Sequence, residues 1–155
     1  MWKFDIQTRT WTLRAGSDNL NQQGTYGTQL VSNPSNIPGS RMSSQCVSIG
    51  NTLWLFGGFG YDSSSNLGLH SLRINLTQSG YLNDLWSFNT SDGSWTWISG
   101  SNTVNASGNY INDGTGTPGA RASPSFWVKN NILYVFGGEG FGSSNNLGMR
   151  NWVLV

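Results

Sequence analysis

Seven carboxylates, one histidine and one cysteine are the side chains of this sequence with the reactivity that catalysis or metal binding needs. The acids are Asp5, Asp18, Asp62, Asp84, Asp92, Asp113 and Glu139. Two facing carboxylates would suit glycoside hydrolysis, yet these acids occur singly along the chain. Asp92 lies in Thr90-Ser91-Asp92-Gly93, where an aspartate serves the backbone of a turn. Asp84 precedes a predicted strand and reads as a turn cap. Glu139 follows a glycine doublet and reads as a solvated loop residue. His70 is the sole histidine, and no residue near it in sequence would orient it for a Ser-His-Asp relay. Zinc takes about four His, Cys or acidic ligands, more than one His and one Cys offer. Asp62-Ser63-Ser64-Ser65-Asn66 carries oxygens of the kind calcium takes, but only one acid. Gly57-Gly58-Phe59-Gly60 has the glycines of a phosphate loop without the helix and lysine that complete one. Cys46 lies in a strand-like run, SSQCVSIG, with no cation nearby, and reads as a small buried apolar residue. The expectation is a protein that is not an enzyme and takes no cofactor or metal.

Composition narrows the class further. Charged residues make up 10% of the 155 residues, against roughly 25% in an average domain. A solvated helical bundle needs more than that on its outer faces. Abundant Gly (21) and Trp (8) suit short strands joined by turns. The net charge is +1 with its cations scattered, so no basic stripe marks a nucleic-acid partner. No run of about 20 apolar residues predicts a membrane span. No signal peptide is predicted ahead of the repeat-like sequence, and the compartment stays unassigned. Asn75, Asn89 and Asn105 open N-glycosylation patterns, at a frequency that chance explains in so Asn-, Ser- and Thr-rich a chain.

The elements that must position these side chains come from a repeat. Leu53–Gly68, LWLFGGFGYDSSSNLG, is nearly copied by Leu133–Gly148, LYVFGGEGFGSSNNLG. Trp2 and Trp86, Trp11 and Trp95, Gly16 and Gly100, and Tyr26 and Tyr110 keep a spacing of 84. Pro-Gly-Ser-Arg at 38–41 and Pro-Gly-Ala-Arg at 118–121 keep a spacing of 80, as do the doublets Gly57-Gly58 and Gly137-Gly138. A recurring unit of this kind points to an array of sheets. Each unit reads as four strands: 42–49 or 122–129, then the apolar run ending in the doublet, then 84–89, then 94–99. Gly50-Asn51 and Asn130-Asn131 are two-residue hairpin turns, since Gly and Asn tolerate positive φ. The near-continuous apolar run of strand two predicts burial on both faces. Almost no helix is expected, because no window has a helical period.

This pattern resembles kelch repeats, in which each repeat forms one blade of a β-propeller. Gly57, Gly58, Gly137 and Gly138 match the family's doublets. Trp86 and Trp2 match its strand-three aromatic, Trp95 and Trp11 its strand-four tryptophan, and Arg41 and Arg121 its basic residue opening strand one. The resemblance implies an all-β fold of kelch-type β-propeller blades, each of four antiparallel strands, in an incomplete ring. The chain, 1–155, then holds a half blade (2–13), a full blade (41–99) and a partial blade (122–155). The long loops are similar to those of secreted and surface kelch proteins. Galactose oxidase, an enzyme on such a propeller, has a copper site that uses histidines this chain lacks, so its activity is not implied. The tail 149–155 stands where a further third strand should come, while 69–80 has no counterpart in the pattern.

The resemblance implies a binding module. Long loops, at 16–40, 60–83, 100–120 and 140–148, gather on one face and carry Tyr26, Tyr61, Tyr110 and Phe141. Such residues either contact a partner or pack the loops onto the sheets. Arg41 and Arg121 either bind a ligand or bridge carbonyls and acids within the scaffold. A protein partner on the long-loop face is the leading expectation. The alternatives are a carbohydrate held by exposed Trp and Tyr, or a fragment of a larger propeller with no function of its own. The half blades at the two ends are also complementary, which allows head-to-tail self-association of copies.

Overall fold

The computed structural model describes residues 1–64, 79–144 and 146–149, and every regular element among them is a strand. β1 (Trp2–Asp5) and β2 (Thr10–Leu13) form a hairpin. β3 (Arg41–Met42), β4 (Gln45–Ile49), β5 (Thr52–Gly60), β6 (Gly80–Asn89) and β7 (Trp95–Ser99) make the largest sheet. β8 (Arg121–Ala122), β9 (Ser125–Lys129), β10 (Ile132–Phe136), β11 (Glu139–Phe141) and β12 (Leu147–Met149) divide between two smaller ones. All pairings are antiparallel, and none of the four sheets closes on itself.

The expected strand-one runs are each split in two. Ser43 and Ser123 take φ of +56° and +52°, which breaks β3 from β4 and β8 from β9. The break repeats because it serves packing: the Ser123 amide donates to the Ser43 carbonyl at 2.8 Å, joining equivalent points of the two units. The Phe56 and Phe126 rings meet nearby at 6.1 Å. Asn130 and Asn131 both have positive φ (52° and 60°), the geometry of a type I′ hairpin between β9 and β10. Asp84, expected to cap a turn, does not do so. β6 begins at Gly80, four residues earlier than expected, and Asp84 lies inside it.

That position follows from a bulge. Phe56 pairs with Leu85 and Gly58 with Leu82, so Asn83 and Asp84 together face Gly57. The extra residue re-aims the strand. Beyond the bulge, Asp84, Trp86 and Phe88 alternate onto one buried face, and Leu82 ahead of it is buried as well. Trp86 is 0% exposed and forms a cluster with Tyr26, Phe88 and Trp95, against which Leu53, Leu55 and Trp97 pack. The residues covering this face come partly from the 14–40 loop: the Leu30 amide donates to the Trp97 carbonyl, and buried Asn36 donates to the carbonyls of Val31 and Trp95.

Glycine is demanded at the Pro-Gly-x-Arg joint by close approach. A Cβ at Gly39 would run into the Tyr61 carbonyl, and one at Gly119 into the Phe141 carbonyl. At Gly57 a Cβ would stand 2.7 Å from the Arg121 carbonyl, on a backbone with φ of +60°.

Two sequence expectations fail in the half units. Trp2 and Trp11 are 62% and 65% exposed, unlike their counterparts Trp86 and Trp95. β10 alternates exposed and half-buried residues instead of being covered on both faces. Each of these hairpins has one neighbour fewer than the complete unit among the described residues. Cys46 is exposed on β4, on the face it shares with its cross-strand partner Leu55, rather than buried in a core. The stretch 69–80 lies outside the described residues except for Ser79 and Gly80. Of the tail, only Met149 is described, at the end of β12.

Gly39→Ala should therefore lower stability by about 2–4 kcal/mol, read as a shift in the urea unfolding midpoint. Gly148→Ala, where a Cβ meets nothing within 4 Å, should change it by less than about 0.5 kcal/mol.

Candidate functional site

The densest polar constellation sits under the 14–40 loop, and Asp84 is its centre. The bulge in β6 aims the Asp84 carboxylate at Arg41, whose side chain leaves the end of the Pro-Gly-Ser-Arg turn. Arg41 Nη1 and Nη2 donate to Oδ1 and Oδ2 at 2.7 and 2.8 Å, a two-pronged pair. Tyr26 Oη donates to Oδ2 at 2.6 Å, and Trp86 Nε1 to the same oxygen at 2.7 Å. Arg41 spends its remaining bonds on carbonyls, Nε on Gly39 and Nη1 on Gly57. Asp84 is fully buried, and the guanidinium beside it is nearly so.

The electrostatics follow from that enclosure. Burial works to lower the Arg41 pKa, but the Asp84 charge and the bonds to it hold it above the ordinary value. Burial, reinforced by the Asp84 charge, pushes the Tyr26 hydroxyl well above the ordinary tyrosine range. Both groups are locked in one protonation state at neutral pH. Oδ2 accepts three of these bonds and Oδ1 one, and the fully buried carboxylate is spent on the scaffold rather than presented to a substrate. This constellation clamps loop to strand.

The second copy repeats the joint without its acid. Arg121 is 8% exposed, with Nε on the Gly119 carbonyl and Nη1 on the Gly137 carbonyl, as in the first copy. Its Nη2 donates to Tyr110 Oη at 3.0 Å. The hydroxyl that donates to a carboxylate in one copy accepts from arginine in the other. Tyr110 is 55% exposed where Tyr26 is 3%. No carboxylate pairs with Arg121 among the described residues.

The remaining site residues from the sequence separate into several places. Tyr26 is consumed by packing, its ring 4.8 Å from Trp86 and 5.3 Å from Trp97, so it offers no free surface on the loop face. Phe141 packs against Tyr81 at 6.0 Å. Tyr61 is half-buried, its amide donating to the Ser40 carbonyl. Tyr110 remains exposed, with Ile111 beside it. Gly57 lies against the neighbouring unit, Gly58 and Gly138 abut the strand-one segment of their own units, a Cβ at Gly137 would meet nothing within 4 Å, and Trp86 and Trp95 lie in the core cluster.

Sequence reasoning missed Asp62 as a loop fastener. Buried Asp62 accepts from the Ser64 amide and hydroxyl through Oδ1 and from the Val104 amide through Oδ2, while its carbonyl accepts from the Gly24 amide. Three loops are thus fixed by a residue that looked like a calcium ligand. Ser65 and Asn66 of that run lie outside the described residues. Partial burial raises the thiol pKa of Cys46. Asp92 does serve its turn, accepting from the Ser94 amide and hydroxyl, which with Asn89 lowers its pKa. Among the described residues no group of three or more His, Cys, Asp or Glu side chains could hold a metal, and no helix is long and apolar enough to cross a membrane. No protein-family model matches the chain, and no curated protein matches it.

Asp84→Asn should cost about 3–5 kcal/mol, since it strands the buried Arg41 charge; chemical denaturation measures it. Tyr26 is raised in the folded state, so its contribution is complete below its ordinary pKa near 10 and is lost as pH rises above that value. Stability measured from pH 8 to 11.5 should therefore fall more steeply in the wild type than in Tyr26→Phe.

Proposed function

We propose that the chain is a segment of a kelch-type β-propeller and acts as a non-catalytic binding module, its partner a protein that docks on the long-loop face. The observation that carries this reading is the repeated Pro-Gly-x-Arg joint. In both copies the arginine Nε reaches the carbonyl two residues back, and Nη1 reaches the carbonyl of the first doublet glycine. The amide of the glycine two residues before Tyr26 or Tyr110 donates to residue 62 or 142. Two identical joints hold two long loops in the same attitude on the same side. Side-by-side units joined at Ser43 and Ser123 are what a propeller stacks.

The loops suit binding because they are held rather than loose. Asp62 and the Asn83 side chain, which donates to the Pro118 carbonyl and accepts from the Ser101 amide, fix the backbone of 101–118 from below. Leu20, Leu30 and Val31 of the 14–40 loop and Tyr110 and Ile111 of the 100–120 loop remain exposed. Apolar and aromatic side chains on a preorganised loop surface lose little entropy on docking. The exposed tryptophans, Trp2, Trp11 and Trp127, stand on strands rather than on these loops. That placement favours a protein partner over a glycan on the loop face.

Affinity capture with the whole chain, followed by Leu30→Ser and Ile111→Ser, tests the reading. The captured protein should bind at least tenfold more weakly to the double variant, with unfolding unchanged. Undiminished capture, or binding on a glycan array with no protein captured, would count against it.

A further inference from the structure

Two Asp-Gly pairs in this chain are each followed by a hydroxyl residue, Asp92-Gly93-Ser94 and Asp113-Gly114-Thr115. Both fold into the same local turn. Asp92 Oδ1 accepts from the Ser94 amide and hydroxyl at 2.9 and 2.7 Å. Asp113 Oδ1 accepts from the Thr115 amide and hydroxyl at 2.9 and 2.7 Å. Gly93 and Gly114 take φ of +79° and +87°. In both turns the hydroxyl and amide bonds lower the carboxyl pKa, so its direction does not set the two apart. The ring closed by each side-chain bond includes the amide nitrogen of the glycine. Carboxyl carbon and nitrogen thus belong to one tight turn.

The surroundings of the two turns differ. Asp92-Gly93 joins the paired strands β6 and β7. The Gly93 amide donates to the Asn89 carbonyl at 2.9 Å, and Asn89 Nδ2 donates to Asp92 Oδ2 at 2.8 Å. Ser94 is buried, and its hydroxyl accepts from the Ser32 hydroxyl at 2.8 Å. Moving the nitrogen or the carboxyl there breaks bonds of the hairpin. Asp113-Gly114, by contrast, lies in a loop tip that is exposed from Ile111 to Gly116. The Gly114 amide donates to no group among the described residues, and a Cβ on Gly114 would meet nothing within 4 Å. Asn109 and Thr117 exchange amide-to-carbonyl bonds at 2.8 Å in both directions, which separates the tip from the sheets.

We infer that Asp113-Gly114 is a site of self-modification, at which the folded protein converts aspartate to isoaspartate through a cyclic imide. The Gly114 nitrogen bonds to the Asp113 carboxyl carbon. The nitrogen's proton and the hydroxyl of the carboxylic acid leave as water. Water then adds back to one of the two ring carbonyls. Addition at the former side-chain carbonyl restores aspartate. Addition at the former main-chain carbonyl routes the chain through the side-chain carbon and leaves the carboxylate on Cα. Ring closure needs the carboxyl to leave Thr115 and swing onto the nitrogen, a local opening that an exposed tip undergoes readily and a paired hairpin resists. The product lengthens the tip by one backbone carbon and takes the carboxylate away from Thr115. Ile111 of the proposed docking surface shares this tip, but the chemistry does not depend on the loop-face reading.

The test uses the unaltered whole protein, incubated warm at neutral pH for several weeks and then digested. Mass spectrometry with electron-transfer fragmentation tells isoaspartate from aspartate at each position, and a mass lower by one water marks the imide. Position 113 should convert at least tenfold faster than position 92 in the folded protein. In urea beyond the unfolding midpoint the two positions should convert at similar rates, because their local sequences are nearly the same once the fold is lost. Equal conversion of the two positions in the folded protein, or faster conversion at 92, would overturn the proposal. So would conversion at 113 only in urea. A tenfold preference for 113 that persists in urea would overturn it too, since sequence and not the fold would then set the rate. Failure of protein capture on the loop face would leave this result standing.

Discussion

A single buried carboxylate organises this fold. Asp84 is removed from water completely, which is costly unless its charge and lone pairs are matched. Matching them requires a guanidinium from the end of the 14–40 loop, a hydroxyl from the middle of that loop and the indole of the residue two further along its own strand. Each requirement fixes a piece of chain. Arg41 must emerge from a turn tight enough to need Gly39. Tyr26 must pack against Trp86 with its ring tilted, bringing the 14–40 loop down onto the sheet. β6 must bulge opposite Gly57, which places a glycine with positive φ where the neighbouring unit comes closest. Hydrophobic burial supplies the larger energy, but it is non-directional. The carboxylate network selects which loop covers which face.

The two copies show what that network contributes. With the acid present, the tyrosine is buried and the tryptophan of strand three sits at the centre of an aromatic cluster. Without it, the homologous tyrosine leans out into solvent and the arginine settles for a neutral partner. The backbone joint survives in both, because the arginine's bonds to carbonyls do not depend on the acid. Loop attitude is thus held by the joint, and loop burial by the acid. This division explains how the loop tyrosine can be buried in one copy and exposed in the other on nearly the same sequence.

Much of the strand content was legible because its signals are local. The offset of 80 between the doublets, the Asn130-Asn131 hairpin and the alternation around Trp86 all report on residues adjacent in sequence. The roles of Asp84, Tyr26 and Asp62 depend on partners about 40 or more residues away, and no periodicity reports such pairings. Alternation does not place Asp84 in the strand, because the bulge at Asn83 and Asp84 interrupts the two-residue period there. One clue was available: an arginine recurring at equivalent positions beside apolar runs calls for an acid, and Asp84 is the acid nearest the apolar core of the unit. The exposure of Trp2 and Trp11 could not be read at all, since a half unit has the same local sequence as a whole one. Whether its aromatic face is covered depends on a neighbouring strand and not on its own residues.

Native-state hydrogen exchange, residue by residue, tests most directly the claim that the Asp84 network makes one unit closed and leaves the other open. The amides of Leu82 to Phe88 should exchange only through global unfolding, at the full stability of the protein. Those of Ile132 to Phe136 should exchange through local opening, at a free energy lower by several kcal/mol. Equal protection of the two stretches would contradict the account.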